Sequence, residues 1–177
     1  MSDLHVSWSE YNKNIEELAC QIRDSGWKFN QIICIAKGGL RIGDIFCRLF
    51  DEPLAILSVE SYSGAQNTER GDIIFSRDLA KTSPNLGSHV LLVDDLADSG
   101  TTLKKSMDWL KHFYGFYIEE IRTAVVWYKA ISTFRPDYYV EYLEDSPWIH
   151  QPFEKYEQMK VDDLTPDSVA REAGPVS

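Results

Sequence analysis

The stretch Leu91-Leu92-Val93-Asp94-Asp95-Leu96-Ala97-Asp98-Ser99-Gly100-Thr101-Thr102-Leu103 places three carboxylates and a turn of small residues between an apolar run and a helical pattern. The apolar run Val90 to Val93 predicts a fully buried strand, and open α/β sheets bind their ligands where such strands end. The segment from Asp98 to Thr102 offers successive backbone N–H groups and three hydroxyls at a helix N-terminus. Because such a terminus attracts anions, we expect a phosphate to bind at this turn.

Asp94 and Asp95 precede the turn, and their carboxylates suit hydroxyl groups or a cation rather than an anion. Two adjacent carboxylates accept hydrogen bonds from vicinal hydroxyls or hold Mg²⁺, and they repel a bare phosphate. The whole segment therefore predicts a site for a sugar phosphate. The alternative is an acidic loop that only caps the following helix. Capping needs a single Asp or Ser, so the three carboxylates disfavour that alternative.

The order of two acidic residues, Asp-Ser/Thr-Gly and Thr resembles the signature of the type I phosphoribosyltransferases. The resemblance implies that Asp94 and Asp95 bind the ribose hydroxyls of phosphoribosyl pyrophosphate (PRPP) together with its Mg²⁺. It also implies a turn that cradles the 5-phosphate, made of Asp98, Ser99, Gly100, Thr101 and Thr102.

The composition is that of a single globular domain, with 177 residues, 44% apolar content and 26% charge. A net charge of −10 and a pI near 4.8 leave no electrostatic footprint for nucleic acid and little attraction to anionic lipid. The first five residues lack a basic start and an apolar core, and no stretch approaches the ~18 apolar residues of a membrane span. Cys20, Cys34 and Cys47 lie in apolar or helical patterns and predict buried free thiols. We expect a cytoplasmic protein that binds neither nucleic acid nor membrane.

Apolar strands alternate with helical patterns along the chain, which predicts an α/β fold with a mostly parallel sheet covered on both faces. The predicted strands are 31–36, 54–59, 90–93, 121–128 and 138–143. Three helices are predicted. The first starts with a capping box of Ser7 and Glu10, the second starts at Leu40, and the third starts near Leu103. The last of these has Leu103, Met107, Leu110 and Phe113 on its apolar face and is predicted to end at a left-handed Gly115 cap.

The family resemblance adds boundaries to this fold. It implies a type I phosphoribosyltransferase domain over residues 1–160, with a small hood built from the N-terminal helix and residues from about 138 to 156. Residues 161–177 are acidic and poor in large apolar side chains, so we expect a flexible tail there.

The glycine turn Lys37-Gly38-Gly39 follows the strand 31–36 and precedes a helix. It puts a cation beside exposed backbone N–H groups, which suits a pyrophosphate leaving group. Alone, this pattern also fits many ordinary strand-to-helix turns. In the purine phosphoribosyltransferases, a basic residue and two glycines at this place form the pyrophosphate loop, which implies that role for these three residues. Several relatives have arginine where this chain has Lys37, and lysine cannot make the same bidentate contact.

A polar stretch without apolar periodicity, from Ser61 to Asp72, predicts a mobile loop. It begins with Ser61-Tyr62, which resembles the start of the flexible catalytic loop of the purine enzymes. Loops of that kind close over the reacting centre and exclude water. The alternative is a chance occurrence of the dipeptide.

Lys129 ends a predicted strand, where its ammonium could reach over the carboxyl edge of the sheet; a surface lysine is the alternative. The stretch Trp148-Ile149-His150-Gln151-Pro152-Phe153 resembles a segment of bacterial 6-oxopurine phosphoribosyltransferases. The resemblance implies that Lys129 donates to the oxygen at C6, that Trp148 stacks on the base, and that the carbonyls of Trp148 and Ile149 face the C2 substituent. His150 replaces an acidic residue of those relatives, and Glu154 is near enough in sequence to substitute for it.

Together, the resemblances of these segments imply a Mg²⁺-dependent transfer of 5-phosphoribosyl from PRPP to a 6-oxopurine: guanine, xanthine or hypoxanthine. Asp98 is the expected catalytic base, and Lys37 the expected cation beside the departing pyrophosphate. By analogy with the family, we expect a homodimer or homotetramer. Two alternatives remain: a regulator with this fold that senses PRPP or a nucleotide, and a transferase for a different base.

Overall fold

The computed structural model describes residues 3–61 and 73–164. In chain order the elements are β1 (Leu4–His5), α1 (Trp8–Asp24), β2 (Gln31–Ala36), α2 (Leu40–Phe50), β3 (Leu54–Ser61), β4 (Ile73–Phe75), β5 (Ala80–Lys81), β6 (His89–Val93), β7 (Leu96–Ala97), α3 (Thr101–Tyr114), β8 (Glu120–Lys129), β9 (Tyr138–Leu143), β10 (Ile149–His150), α4 (Lys155–Gln158) and a short 3₁₀ helix (Val161–Asp163). Among these, no helix has the length and apolarity that crossing a membrane requires. The chain divides into two compact units: residues 12–146, and a smaller unit whose described residues are 3–11 and 147–164.

The larger unit is built on one sheet with the strand order β4-β3-β2-β6-β8-β7, in which β5 also pairs with β3 and β9 with β8. All pairs are parallel except those that β4 and β5 make with β3. This confirms the predicted mostly parallel sheet. Cys34 in β2 is level with Val93 in β6, which is level with Ala124 in β8. The carboxyl ends of β2 and β6 therefore lie side by side at one edge.

Helices cover both faces of this sheet. Ile33 of β2 belongs to a buried cluster with Leu103 and Leu110 of α3. Cys34, the next residue, points to the opposite face, where it packs against Gly43 of α2. A Cβ on Gly43 would lie 2.7 Å from the Cβ of Cys34, so the absence of a side chain lets α2 approach the sheet closely. Successive residues of β2 point to opposite faces, so β2 packs against α3 on one face and against α2 on the other. Burial on both faces explains its unbroken apolar sequence.

The predicted capping box of α1 is confirmed. The backbone N–H of Glu10 donates to Ser7 Oγ (3.2 Å), and the Glu10 carboxylate accepts from the Ser7 backbone N–H (2.9 Å). The helix continues to Asp24 and is followed by Gly26 at φ +73°. Its apolar face is buried throughout, at Tyr11, Ile15, Leu18, Ala19 and Ile22.

Two predictions about α3 are wrong. Gly115 is helical (φ −59°, ψ −18°) rather than left-handed, and its N–H donates to the Lys111 carbonyl. A Cβ on Gly115 would collide with that same carbonyl, so close approach and not a left-handed φ explains the glycine. Phe113 is exposed, because the buried face passes from Leu110 to the half-buried Tyr114, one full turn later.

The cysteine prediction is partly wrong. Cys34 is a buried free thiol in β2, and burial raises its pKa to about 12. Cys20 is exposed and Cys47 is half-buried, although both are free. Helical cysteines are small enough to sit at the border of an apolar face, which their sequence context does not reveal.

Two predicted segments fall largely outside the described residues. Ser61 is the last residue of β3, whereas Tyr62 and the rest of the predicted loop to Asp72 lie outside them. Most of the predicted tail, residues 165–177, also lies outside. The predicted hood and the domain boundaries remain predictions.

Candidate functional site

Two loops meet at the carboxyl edge of the sheet. Lys37, Gly38 and Gly39 follow β2, and Asp94 and Asp95 follow β6, its parallel neighbour. The peptide bond between Ala36 and Lys37 is cis. Lys37 is exposed, whereas Gly39 is buried between the two strand ends. The structure therefore brings together two segments that the sequence predicts to bind different parts of one ligand.

Glycine is required at both loop positions because the loops touch. A Cβ on Gly38 would collide with the carboxyl group of Asp95, 2.6 Å from its Cγ, and would lie 2.9 Å from Asp94 Oδ1. A Cβ on Gly39 would lie 2.5 Å from the carbonyl oxygen of Val93. Real Cβ contacts are essentially never shorter than 3.0 Å. The backbone of this loop thus lies directly against the two carboxylates.

The main chain holds the acidic pair in place. The Asp94 N–H donates to the Ala124 carbonyl (3.1 Å), and the Asp95 carbonyl accepts from Val126 N–H (3.0 Å). Burial raises the pKa of Asp94 well above its ordinary value, and the neighbouring charge of Asp95 raises it further. Two carboxylates in this setting favour a dication or hydroxyl donors. Among residues 3–61 and 73–164, no group of three or more His, Cys, Asp or Glu side chains has the geometry to hold a metal ion.

The raised pKa of Asp94 predicts that the unliganded protein gains stability when this charge is removed. The folded state binds the Asp94 proton more tightly than the unfolded state, so its stability falls as pH rises above the unfolded-state value near 4. We expect Asp94→Asn to raise the thermal midpoint at pH 8 by about 2–4 °C, the shift that ~1 kcal/mol produces in a chain of this size, and by less at pH 5. Circular dichroism melting without ligand measures both values. A lower midpoint for the variant at pH 8 would contradict this assignment.

The predicted phosphate turn lies at the start of α3, a helix of 14 residues. Gly100 precedes the helix at φ +75°, and a Cβ there would lie 2.6 Å from the Cβ of Phe134. Ser99 Oγ donates to Thr101 Oγ1 (3.0 Å). The Thr101 N–H donates to Ser99 Oγ (3.3 Å), and Gly100 has no side chain to cap the rest of the first turn, so the N–H groups there, including that of Thr102, form the positive end of the helix. This geometry suits an anion.

Asp98 and Lys129 form an ion pair that the sequence interpretation does not predict. Their Oδ1 and Nζ atoms are 3.0 Å apart, with 7% of the Lys129 side chain exposed and 58% of that of Asp98. The pair exists because β7 is parallel to β8, with Ala97 level with Tyr128, so the residues that follow each are also neighbours. A buried cationic donor and an accessible carboxylate acceptor therefore lie side by side at the edge of the sheet.

The sequence interpretation also misses the turn after β8. Thr133 donates from its backbone N–H (3.0 Å) and its hydroxyl (3.2 Å) to the Ser99 carbonyl. One sequence signal could have found this turn: the polar pair Ser132-Thr133 soon after β8. The strand β8 is the parallel neighbour of β6, which the predicted phosphate turn follows.

In the smaller unit, β10 pairs in parallel with β1; Ile149, its first residue, and Trp148, which precedes it, are the residues predicted to bind a base. Trp148 is exposed and Ile149 is buried. The Trp148 carbonyl accepts from Leu4 N–H (2.8 Å) and the His150 carbonyl from Val6 N–H (3.0 Å). Because backbone groups alternate in a parallel ladder, the Ile149 carbonyl points away from β1. Of the two carbonyls that the resemblance implicates, only that of Ile149 is therefore not used in the pairing of β10 with β1.

His150 is held by acidic neighbours within the same unit. Its Nε2 lies 3.0 Å from Asp3 Oδ2, and its Nδ1 lies 3.9 Å from Glu154 Oε2. Its ring stacks on His5 at a centroid distance of 4.4 Å. The hydrogen bond from His150 lowers the pKa of Asp3.

A family model, curated proteins and solved structures resemble this chain over most of its length. A family model described as the phosphoribosyl transferase domain matches residues 7–158. Xanthine-guanine phosphoribosyltransferase of Idiomarina loihiensis is 26% identical over 155 residues, which are 87% of this chain and 88% of that protein. The protein of the same name from Nitratidesulfovibrio vulgaris is 26% identical over 157 residues, 88% of this chain and 87% of its own length. The crystal structure of a purine phosphoribosyltransferase from Pyrococcus horikoshii superposes with a TM-score of 0.69 at 27% identity, covering 86% of this chain and 95% of that one.

Proposed function

This chain belongs to the phosphoribosyl transferase family, and we propose that it transfers 5-phosphoribosyl from PRPP to a ring nitrogen of a 6-oxopurine. The products are a nucleoside monophosphate and pyrophosphate, as in purine salvage. The observation that carries the proposal is the ion pair of Lys129 and Asp98, 3.0 Å apart beside the phosphate turn. The names and extent of the similar proteins support the same substrate class.

The ion pair has the polarity that one edge of a 6-oxopurine requires. That edge carries a carbonyl oxygen at C6 next to N7, which bears a proton in one tautomer. The ammonium of Lys129 donates to the oxygen, and the carboxylate of Asp98 accepts from the N7 proton. Adenine has an amino group at C6 and offers no acceptor there, so it would give the buried ammonium no partner beyond Asp98 and would place two donors against each other. In the smaller unit, Trp148 stacks on the base and the Ile149 carbonyl faces C2 in this proposal.

Three groups of residues hold PRPP. The ribose hydroxyls bind Asp94 and Asp95, and the turn from Asp98 to Thr102 binds the 5-phosphate. The loop Lys37-Gly38-Gly39 binds the pyrophosphate. The acidic pair also fits Mg²⁺, because two touching carboxylates with a raised pKa at Asp94 gain from a dication. Mg²⁺ supplies neutralisation of charge on the pyrophosphate when it is bound.

The protein acts on charge that develops as the bond between C1 and the pyrophosphate oxygen breaks. Positive charge grows on the ribose, and negative charge grows on the departing pyrophosphate. Lys37 and the backbone N–H of Gly38 stabilise the latter. The N–H of Gly39 instead donates to the Ile35 carbonyl (2.8 Å) and holds the loop in place. Asp98 takes the proton from N7 as N9, whose lone pair is free in that tautomer, attacks C1 of the ribose. The segment beginning at Ser61-Tyr62 excludes water in this proposal, and the enzyme works as a homodimer or homotetramer by analogy with its family.

Substitution of Lys129 separates a 6-oxopurine enzyme from a transferase for another base. Lys129→Met keeps the apolar stem and removes the donor, so we expect kcat/KM for the 6-oxopurine to fall by about 10- to 100-fold, the range for a hydrogen bond to a charged group. Steady-state rates with hypoxanthine, guanine, xanthine, adenine and uracil measure the effect. Lys13→Met, an exposed position on α1, serves as the matched control and should leave all rates unchanged. Full activity of the Lys129 variant would reject recognition of the C6 oxygen.

A further inference from the structure

We propose that Thr133 is a positioning residue that sets the orientation of the phosphate-binding turn without touching the substrate. The inference rests on the proposed function in one respect, that the turn after β7 holds the 5-phosphate of PRPP. Thr133 lies four residues beyond Lys129, in the turn that follows β8, and it is exposed. Nothing in the family signature at the phosphate turn includes this residue.

The contacts of Thr133 converge on a single carbonyl group. Its backbone N–H reaches the Ser99 oxygen at 3.0 Å, and its hydroxyl reaches the same oxygen at 3.2 Å. The carbonyl of Ser99 and the N–H of Gly100 belong to the same planar peptide unit and point in opposite directions when it is trans. Two donors on the Ser99 oxygen therefore fix the direction of the Gly100 N–H. That N–H is one of the donors on which an anion site at this turn depends.

Gly100 is the reason why hydrogen bonds from outside the turn can orient this peptide. It has a left-handed φ of +75° and no side chain, so its own conformational preferences do not hold the peptide in one orientation. The Ser99 hydroxyl donates to Thr101 Oγ1 (3.0 Å) and accepts from the Thr101 N–H (3.3 Å), so it restrains the turn locally but does not contact the Ser99 carbonyl. Thr133 supplies the contacts to that carbonyl from the other side of the turn.

The turn that carries Thr133 is itself well held. Ser132 N–H donates to the Lys129 carbonyl (3.0 Å), and Ser132 Oγ donates to the Phe134 carbonyl (2.8 Å). Gly100 packs against Ser132 and Phe134 so closely that no Cβ would fit between them. Because the same turn begins at Lys129, it links the residue that recognises the base to the turn that binds the phosphate.

The test compares three variants of the full chain. Thr133→Val removes the hydroxyl and keeps the shape and the backbone N–H, whereas Thr133→Ser keeps the hydroxyl. Thr82→Val is the matched control, because the Thr82 hydroxyl likewise donates to a carbonyl, that of Leu54 (3.0 Å). Leu54 is the first residue of β3, so this contact lies at the end of the strand away from the carboxyl edge of the sheet. Calorimetry with PRPP and Mg²⁺ gives the dissociation constant, and steady-state rates give KM and kcat.

We expect Thr133→Val to raise the dissociation constant and KM for PRPP by about 3- to 10-fold, the effect of one lost hydrogen bond, with kcat changed by less than about twofold. Thr133→Ser should restore wild-type values, and Thr82→Val should leave them unchanged. Wild-type binding by Thr133→Val, or equal weakening in Thr82→Val, overturns the inference while the proposed function stands. If wild type binds PRPP but no base reacts, the proposed function fails, and weakened binding by Thr133→Val still supports the inference. Failure of wild type to bind PRPP overturns both.

Discussion

Asp98→Asn lowers kcat by about 10²–10⁴-fold, the range expected when a general base is lost. The amide is nearly isosteric with the carboxylate but cannot take the N7 proton. The variant also leaves the ammonium of Lys129 without the carboxylate that lies 3.0 Å from it. We therefore expect little change in KM for PRPP and a large fall in turnover with every 6-oxopurine. Steady-state kinetics with each substrate varied in turn measure the two parameters separately.

Asp108→Asn on the exposed side of α3 is the matched control for this substitution and should behave as wild type. Thermal melting of both variants checks that the loss of activity does not come from unfolding. A rise in KM for PRPP with unchanged kcat would assign Asp98 a binding role instead of a catalytic one.

Gly38→Ala lowers kcat/KM for PRPP by about 100-fold, because it displaces the two loops that together bind the ribose and the pyrophosphate. The added Cβ would lie 2.6 Å from Asp95 Cγ and 2.9 Å from Asp94 Oδ1, so either the loop or the acidic pair has to move. A displacement near 1 Å in a positioned site is enough to cost about 10²-fold in rate. Calorimetric titration with PRPP and Mg²⁺ should show weakened binding in parallel.

Gly26→Ala tests the general cost of replacing a glycine in this chain. Gly26 has a φ of +73° and nothing within 4 Å of the position a Cβ would take, so its replacement affects only backbone conformation. We expect a loss of stability of about 1–2 kcal/mol and unchanged kinetics. Wild-type PRPP binding by Gly38→Ala would mean that the loop after β2 does not form the site with Asp94 and Asp95.

Much of the fold can be predicted from the sequence because local signals and burial agree. β2 and α2 begin and end where their apolar patterns do, and the capping box at Ser7 marks the start of α1. The prediction fails where a residue has a second possible reason for its identity. Gly115 is consistent with a left-handed cap, but the structure uses it for close contact with the Lys111 carbonyl.

Each segment of the candidate site can be predicted from the sequence, but the contacts between the segments cannot. The turn after β6 and the glycine loop after β2 are visible as local patterns, and parallel pairing of their strands explains why they meet. The ion pair of Asp98 and Lys129 depends on the pairing of β7 with β8, and β7 is only two residues long. So short a strand has no periodicity, and its pairing cannot be predicted from the sequence. The link from Thr133 to Ser99 is hidden for the same reason.

The most direct test of a purine phosphoribosyltransferase is to mix the purified protein with PRPP and Mg²⁺ and to add hypoxanthine, guanine, xanthine, adenine or uracil separately. Formation of nucleotide and pyrophosphate is followed for each base. We expect equimolar nucleotide and pyrophosphate with at least one 6-oxopurine, dependence on Mg²⁺, and no product with adenine or uracil. Tight binding of PRPP without turnover of any base would contradict the proposed enzyme and favour a regulator that senses PRPP.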